Sequence, residues 1–130
     1  PVMADESVFG PIEVIQLIEH RAADIVNIKL MKTGGISNAV KIADICGLYG
    51  VDCMIGCMLE SSIGVAAAVH LAVAKSDVIS KVDLDGPSLC RHDPVAGGVL
   101  FNESEITITD APGLGIRAID GLAPAAELAA

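Results

Sequence analysis

Ile25-Val-Asn-Ile-Lys-Leu30 is an apolar, β-branched run with one lysine, Lys29, near its end. Lys32 and the pair Gly34-Gly35 follow it. A bounded apolar run of this length reads as a strand buried on both faces. An ammonium is costly there unless it points into a site or snorkels to water. Two readings of Lys29 follow: a rim lysine that merely reaches solvent, or a group that handles a proton at the end of a buried strand. The second organises the rest of the chain.

Working outward, the pattern repeats. Val2-Met-Ala-Asp-Glu6 is a short apolar run closed by two carboxylates, and Pro11 opens a helical pattern through Arg21. Asp24 to Leu30 is the second strand. Gly34-Gly35 turn the chain, and Ser37 or Asn38 is expected to cap a helix that runs to about Tyr49 and stops at Gly50. Asp52 to Met58 reads as the third strand, and Ser61 or Ser62 as the cap of an Ala-rich helix reaching Lys75. Lys81-Val-Asp-Leu-Asp85 reads as the fourth strand, closed by Gly86-Pro87.

Strand ends therefore recur at roughly 25–30 residues, the pitch of βαβ units in a parallel sheet. The expected fold is α/β: about four βα units with parallel strands, forming the C-terminal part of a (β/α) TIM-type barrel. A whole barrel takes roughly 250 residues, and this chain has 130. It is then either a half-barrel that pairs with something or, the preferred reading, part of a longer protein; the opening Pro1, in place of Met, agrees with the latter. The partial barrel is assigned to residues 1–96. Residues 97–118 form a C-terminal strand and crossing segment that would pack on a capping domain outside this chain. Residues 119–130 form an Ala-rich tail.

The chain is 52% hydrophobic, with a mean hydropathy of +0.61, yet only 2% aromatic. Its apolar mass is Ala, Val, Ile and Leu, which suits buried parallel strands under Ala-rich helices. A formal net charge of −9 argues against a nucleic-acid partner, because phosphate binding needs clustered Lys and Arg. The longest apolar stretch, Ile63 to Ala74, contains His70 and is shorter than the roughly 20 residues a membrane span takes. No signal peptide is visible. Cys46, Cys53, Cys57 and Cys90 have no CxxC spacing and read as small buried hydrophobes in a reducing, cytoplasmic compartment.

The working residues of a barrel stand at the C-terminal ends of its strands. Each expected strand delivers a polar group there: Asp5 and Glu6, then Lys29, then Cys57 to Glu60, then Asp83 and Asp85. Singly, each has a bland alternative. Asp5 and Glu6 could be solvated carboxylates near a helix start, and Glu60 a first-turn helix charge. Asp83 and Asp85 could be turn formers. Asp5 could also be an oxygen ligand for Mg²⁺. Asp-x-Asp on a strand aims both carboxylates at one face, where they would hold an ammonium. His20, His70 and His92 lack ligand spacing and read as structural or surface residues. Gly34-Gly35 lack any phosphate-loop context and read as a turn.

Five stretches together carry a resemblance. They are Ala4-Asp-Glu-Ser7, Asn27-Ile-Lys-Leu-Met-Lys-Thr-Gly-Gly-Ile36, Gly56-Cys-Met-Leu-Glu60, Asp83-Leu-Asp85 and Pro112-Gly-Leu-Gly-Ile116. They resemble the C-terminal half of an enolase-superfamily enzyme of the muconate-lactonising subgroup, nearest to the dipeptide epimerases (L-Ala-D/L-Glu epimerase type). The resemblance implies an isomerase that removes and returns the α-proton of a dipeptide through an enediolate, with a lysine base and Mg²⁺. It implies Lys29 as one of two acid/base lysines and Asp5 as one of three Mg²⁺ ligands. It implies Asp83 and Asp85 on the substrate ammonium, and Cys57, Met58 and Leu59 along the substrate backbone. Glu6 and Glu60 would support these groups. The second lysine, the other ligands and the capping domain have no counterpart here, so the chain alone is expected to be inactive. The full-length enzyme would be a homo-oligomer. A muconate cycloisomerase or an o-succinylbenzoate synthase is the competing enzyme reading. A non-catalytic half-barrel assembly subunit is the reading from another class.

Overall fold

The computed structural model describes residues 1–122. The sequence-predicted tail from residue 123 onward lies outside the described residues. Four parallel strands form one sheet in the order β1 (Met3–Ala4), β2 (Ile25–Lys29), β3 (Asp52–Gly56) and β4 (Ile79–Asp83). The helices between them are α1 (Pro11–Glu19), α2 (Leu30–Thr33), α3 (Ile36–Tyr49) and α4 (Ser62–Ala74). Sequential parallel strands need crossovers of one hand, so a sheet ordered β1-β2-β3-β4 carries its helices on one face. Burial agrees: Val26, Ile28, Cys53 and Ile55, which point to the helices, are all at most 1% exposed. They pack with Val14 of α1, Ile42 and Cys46 of α3, and Val65 of α4. Each of the larger aliphatic side chains there contributes roughly 1.5–3 kcal/mol by leaving water.

Local details differ from the sequence-based expectation, beginning with the third strand, which ends at Gly56 and not at Met58. The fourth strand runs from Ile79 to Asp83, two residues earlier at each end than Lys81–Asp85. Asp85 instead sits with helical dihedrals at the N-cap of a short helix, α5 (Gly86–Leu89). Pro87 causes this: it cannot donate to a ladder, and its fixed φ suits a first helical turn. The second strand stops at Lys29 because Leu30–Thr33 coil into α2. Gly34 ends that turn in the left-handed conformation, at φ 74°. Neither Ser37 nor Asn38 caps α3; Gly35 occupies that position, and Asn38 Nδ2 donates back to Thr33 O at 2.9 Å.

Beyond α5 the chain builds two small antiparallel ladders. β5 (Val95–Gly97) pairs with β8 (Ile116–Ile119), and β6 (Leu100–Asn102) pairs with β7 (Glu105–Thr107). The β5–β8 ladder lies across the sequence-based boundaries at 96/97 and 118/119. Among the described residues no helix is long and apolar enough to cross a membrane.

Candidate active site

The residues singled out in the sequence fall on one rim, at the C-terminal ends of the four strands. Asp5 directly follows β1, Lys29 closes β2, Cys57 follows Gly56 at the end of β3, and Asp83 closes β4. The register sets their heights: Lys29 pairs with Gly56, and Gly56 with Asp83. Lys29 and Asp83 thus stand in one row, two strands apart, or about 10 Å by ordinary strand spacing. The residue between them is glycine for a packing reason. A Cβ on Gly56 would lie 2.7 Å from Asn27 Oδ1, so the Asn27 amide occupies the space a side chain would take. Asn27 is 3% exposed, and among the described residues its Oδ1 has no hydrogen-bond partner.

Charge is concentrated over β1 and β2. Lys29 Nζ lies 2.9 Å from Asp5 Oδ2 and 3.6 Å from Glu6 Oε1. The other oxygen of Asp5, Oδ1, accepts from Lys32 Nζ at 2.6 Å. Lys32 also donates to the main-chain oxygens of Asp5 at 2.5 Å and Asn27 at 3.1 Å. Its side chain is 5% exposed. Sequence reasoning gave Lys32 no role. It is the turn α2 that carries Lys32, three residues after Lys29, back over the strand end to Asp5.

These contacts shift both titrating partners. Burial alone would raise the Asp5 carboxyl, but hydrogen bonds and charge from Lys32 and Lys29 outweigh it and hold the carboxyl below its ordinary value. The hydrogen bond to Asp5 pushes Lys29 above its ordinary value against the cost of burial, helped by the charges of Asp5 and Glu6. Asp5 is a hard oxygen donor, partly exposed at the rim, and so fits one place in a Mg²⁺ site. Among the described residues no three His, Cys, Asp or Glu side chains gather into a metal site.

The rim over β3 and β4 is different. Asp83 and Asp85 are exposed on either side of the buried Leu84, and both line one groove although Asp85 has left the strand and its alternation. Among the described residues neither carboxylate has an ion-pair partner. Lys81, on the same strand, is drawn to Asp52 at 3.1 Å. Cys57 Sγ accepts the Gly86 N–H at 3.4 Å, and burial pushes its thiol up. Met58 and Leu59 are 44% and 71% exposed, and Glu60 Oε1 accepts the Met58 N–H at 3.1 Å. A groove of about 600 Å³ runs beside this rim, floored by Val69, Val82 and Ile106 and edged by Asp83, Asp85 and Glu105. It does not reach Lys29 or Asp5.

The family described as "Enolase C-terminal domain-like" matches residues 1–120. The chain is 57% identical over 120 residues to the L-Ala-D/L-Glu epimerase of Clostridium acetobutylicum, covering 92% of this chain and 33% of that protein. Its fold superposes on the substrate-liganded complex of the L-Ala-D/L-Glu epimerase from Bacillus subtilis with a TM-score of 0.87 at 44% identity, covering 92% of this chain and 33% of that one. A dipeptide epimerase from Cytophaga hutchinsonii, complexed with Mg and the dipeptide D-Ala-L-Val, superposes with a TM-score of 0.86 at 34% identity, covering 93% and 33%. The chain spans about a third of the length of the curated relatives it matches.

Proposed function

This chain belongs to the enolase C-terminal domain-like family, and on that premise we propose that it is part of a Mg²⁺-dependent dipeptide epimerase. The observation that carries the proposal is the Lys29–Asp5 pair at adjoining strand ends, 2.9 Å apart. An amine and a carboxylate at that rim are what α-proton transfer beside a carboxylate requires. The amine moves the proton, and the carboxylate helps hold a cation where charge develops.

Lys29 Nζ is the acid/base atom. Paired with Asp5 and Glu6 it keeps its proton, and in that form it is set to return one to the α-carbon. The neutral form that would abstract a proton needs release from Asp5. Asp5 would be one ligand of the cation. A bound divalent cation would offset the second negative charge that builds on the substrate carboxylate when the α-proton leaves. Lys32 fixes the Asp5 carboxylate in orientation. Asp83 and Asp85, which line one groove and among the described residues have no ion-pair partner, would hold the ammonium end of the dipeptide, so that its far α-carbon meets the lysine. Cys57, Met58 and Leu59 would line the substrate backbone, with Glu6 and Glu60 behind these groups. Residues 97–118 would pack on the capping domain. On this reading the chain holds a share of the site and turns over nothing alone, and the full-length protein works as a cytoplasmic homo-oligomer.

The test is deuterium uptake by the full-length protein with Mg²⁺ in D₂O. L-Ala-L-Glu is the first substrate to try, given the relative that is 57% identical. Epimerisation with deuterium at the glutamyl α-carbon, followed by proton NMR, is the expected result. Turnover of cis,cis-muconate with no exchange in any dipeptide would replace the epimerase with a cycloisomerase.

A further inference from the structure

The loop between β3 and α4, residues 57–61, carries the exposed apolar side chains of Met58 and Leu59. Ordering such a short loop costs conformational entropy unless something fixes it. Two contacts on one side do part of this. The Gly86 N–H donates to Cys57 Sγ, and Gly86 packs so closely that a Cβ there would lie 2.9 Å from Met58 O and 3.1 Å from Glu60 O. The third contact comes from far along the chain. Ser61 holds the N-cap position of α4, yet its side chain makes no capping bond. Asp93 does this instead. Its Oδ2 accepts the Ser62 N–H at 3.0 Å and the Ser62 hydroxyl, and its Oδ1 accepts the Val95 N–H at 3.2 Å.

A local serine would cap α4 by itself. A carboxylate 31 residues later also satisfies the helix end, where negative charge is favoured. In addition it ties the loop to the segment that leaves α5 and enters β5. Ser62, the point it grips, is 7% exposed.

We propose that Asp93 is a positioning residue for substrate recognition: by gripping Ser62 it holds residues 57–61 against Asp85-Gly86, so that loop and acidic pair form one wall of the site. This rests on the reading that Met58, Leu59, Asp83 and Asp85 face a dipeptide. Asp93 touches none of the reacting atoms. It acts through Ser62, and its removal alters substrate binding more than proton transfer.

The experiment uses the full-length protein and the variant Asp93→Asn, which keeps the shape and loses one charged acceptor. Amide hydrogen exchange at residues 58–62 is expected to speed up by about tenfold, as for one lost hydrogen bond. KM for the dipeptide is expected to rise by about tenfold with kcat nearly unchanged, the signature of lost binding shared by ground and transition states. The Mg²⁺ dissociation constant should not move. Ser62→Ala, which loses only the hydroxyl contact, should shift exchange and KM the same way by about threefold. Unchanged exchange at 58–62 would overturn the proposal. So would faster exchange with an unchanged KM, since the clamp would then be structural only. If the parent exchanges no dipeptide α-proton, the epimerase reading itself has failed, and the substrate half of this proposal falls with it, whatever the amide exchange shows.

Discussion

The rim over β1 and β2 is closed on itself, and the rim over β3 and β4 is not. In the first, two lysines meet two carboxylates within 3.6 Å, and Lys32 is bonded to three oxygens. In the second, Asp83 and Asp85 stand exposed, and the strand's own lysine is turned to Asp52. Both lie at the same ends of one sheet, so strand geometry does not explain the difference. Local chain does. After β2 the turn α2 brings Lys32 back over the strand end, whereas after β4 Pro87 starts α5 and, among the described residues, no cation pairs with Asp83 or Asp85. A closed cluster fixes the geometry of a proton donor before any substrate arrives. An open acidic pair has spare charge to offer a cationic ligand.

The largest expected effect breaks the closed half at its working atom. Lys29→Ala in the full-length protein should lower dipeptide α-proton exchange by about 10⁴-fold, the upper range for transfer by a positioned side chain. Mg²⁺ binding measured by calorimetry should persist, because Asp5 and Lys32 remain. Retained exchange would take Lys29 out of the mechanism and leave the closed half a structural knot. Next in size is Lys32→Met. It takes the Lys32 donor from Asp5 Oδ1 and from the main-chain oxygens of Asp5, which still accepts the Val8 N–H, and Asn27, and should cost about 2 kcal/mol of folding stability by denaturant titration. A cost near zero would show that Lys29 alone suffices to orient Asp5.

The two halves were not equally legible in the sequence. Strand β2 was, because Ile25 to Leu30 has the composition of a doubly buried strand, and Lys29 stands out against it. The parallel order followed from the regular pitch of strand ends. The end of β4 was misplaced because Lys81-Val-Asp-Leu-Asp85 alternates like a strand; Pro87, two residues on, decides the matter through a helical turn that alternation does not reveal. β5 and β8 were missed because three or four residues such as Val95-Ala-Gly97 carry too little pattern to exceed a turn signal. Lys32 and Asp93 share one cause of failure. Each acts on a residue more than 25 positions away, and no local periodicity encodes such a contact.

A smaller effect sharpens the open half. Asp85→Asn should raise KM for dipeptides by about tenfold while leaving kcat and Mg²⁺ affinity alone, as expected when binding is lost equally from ground and transition states. Unchanged dipeptide kinetics would mean that Asp85 serves only as the N-cap of α5, and that the ammonium is held elsewhere.

The smallest effect, on pH dependence, separates the halves by its presence in one and its absence in the other. Asp5 has its folded carboxyl below the ordinary value, so its contribution to stability is present above about pH 4 and is lost as pH falls through the lowered value. Lys29 is raised, so its contribution is complete below about pH 10 and is lost as pH rises through the raised value. Between these limits the closed half adds a constant amount, about 1 kcal/mol for a partly exposed pair, or a few degrees of Tm. The Tm difference between the full-length parent and Asp5→Asn should therefore be flat from pH 5 to 9, on the order of the window those reference values define. It should shrink in acid. Asp85→Asn, which removes no ion pair, should show no Tm difference at any pH in the same window. A gap for Asp5→Asn that widened toward acid would mean that the carboxylate is strained by its neighbours, not held by them, and the contrast between a closed and an open rim would have to be drawn on packing instead of charge.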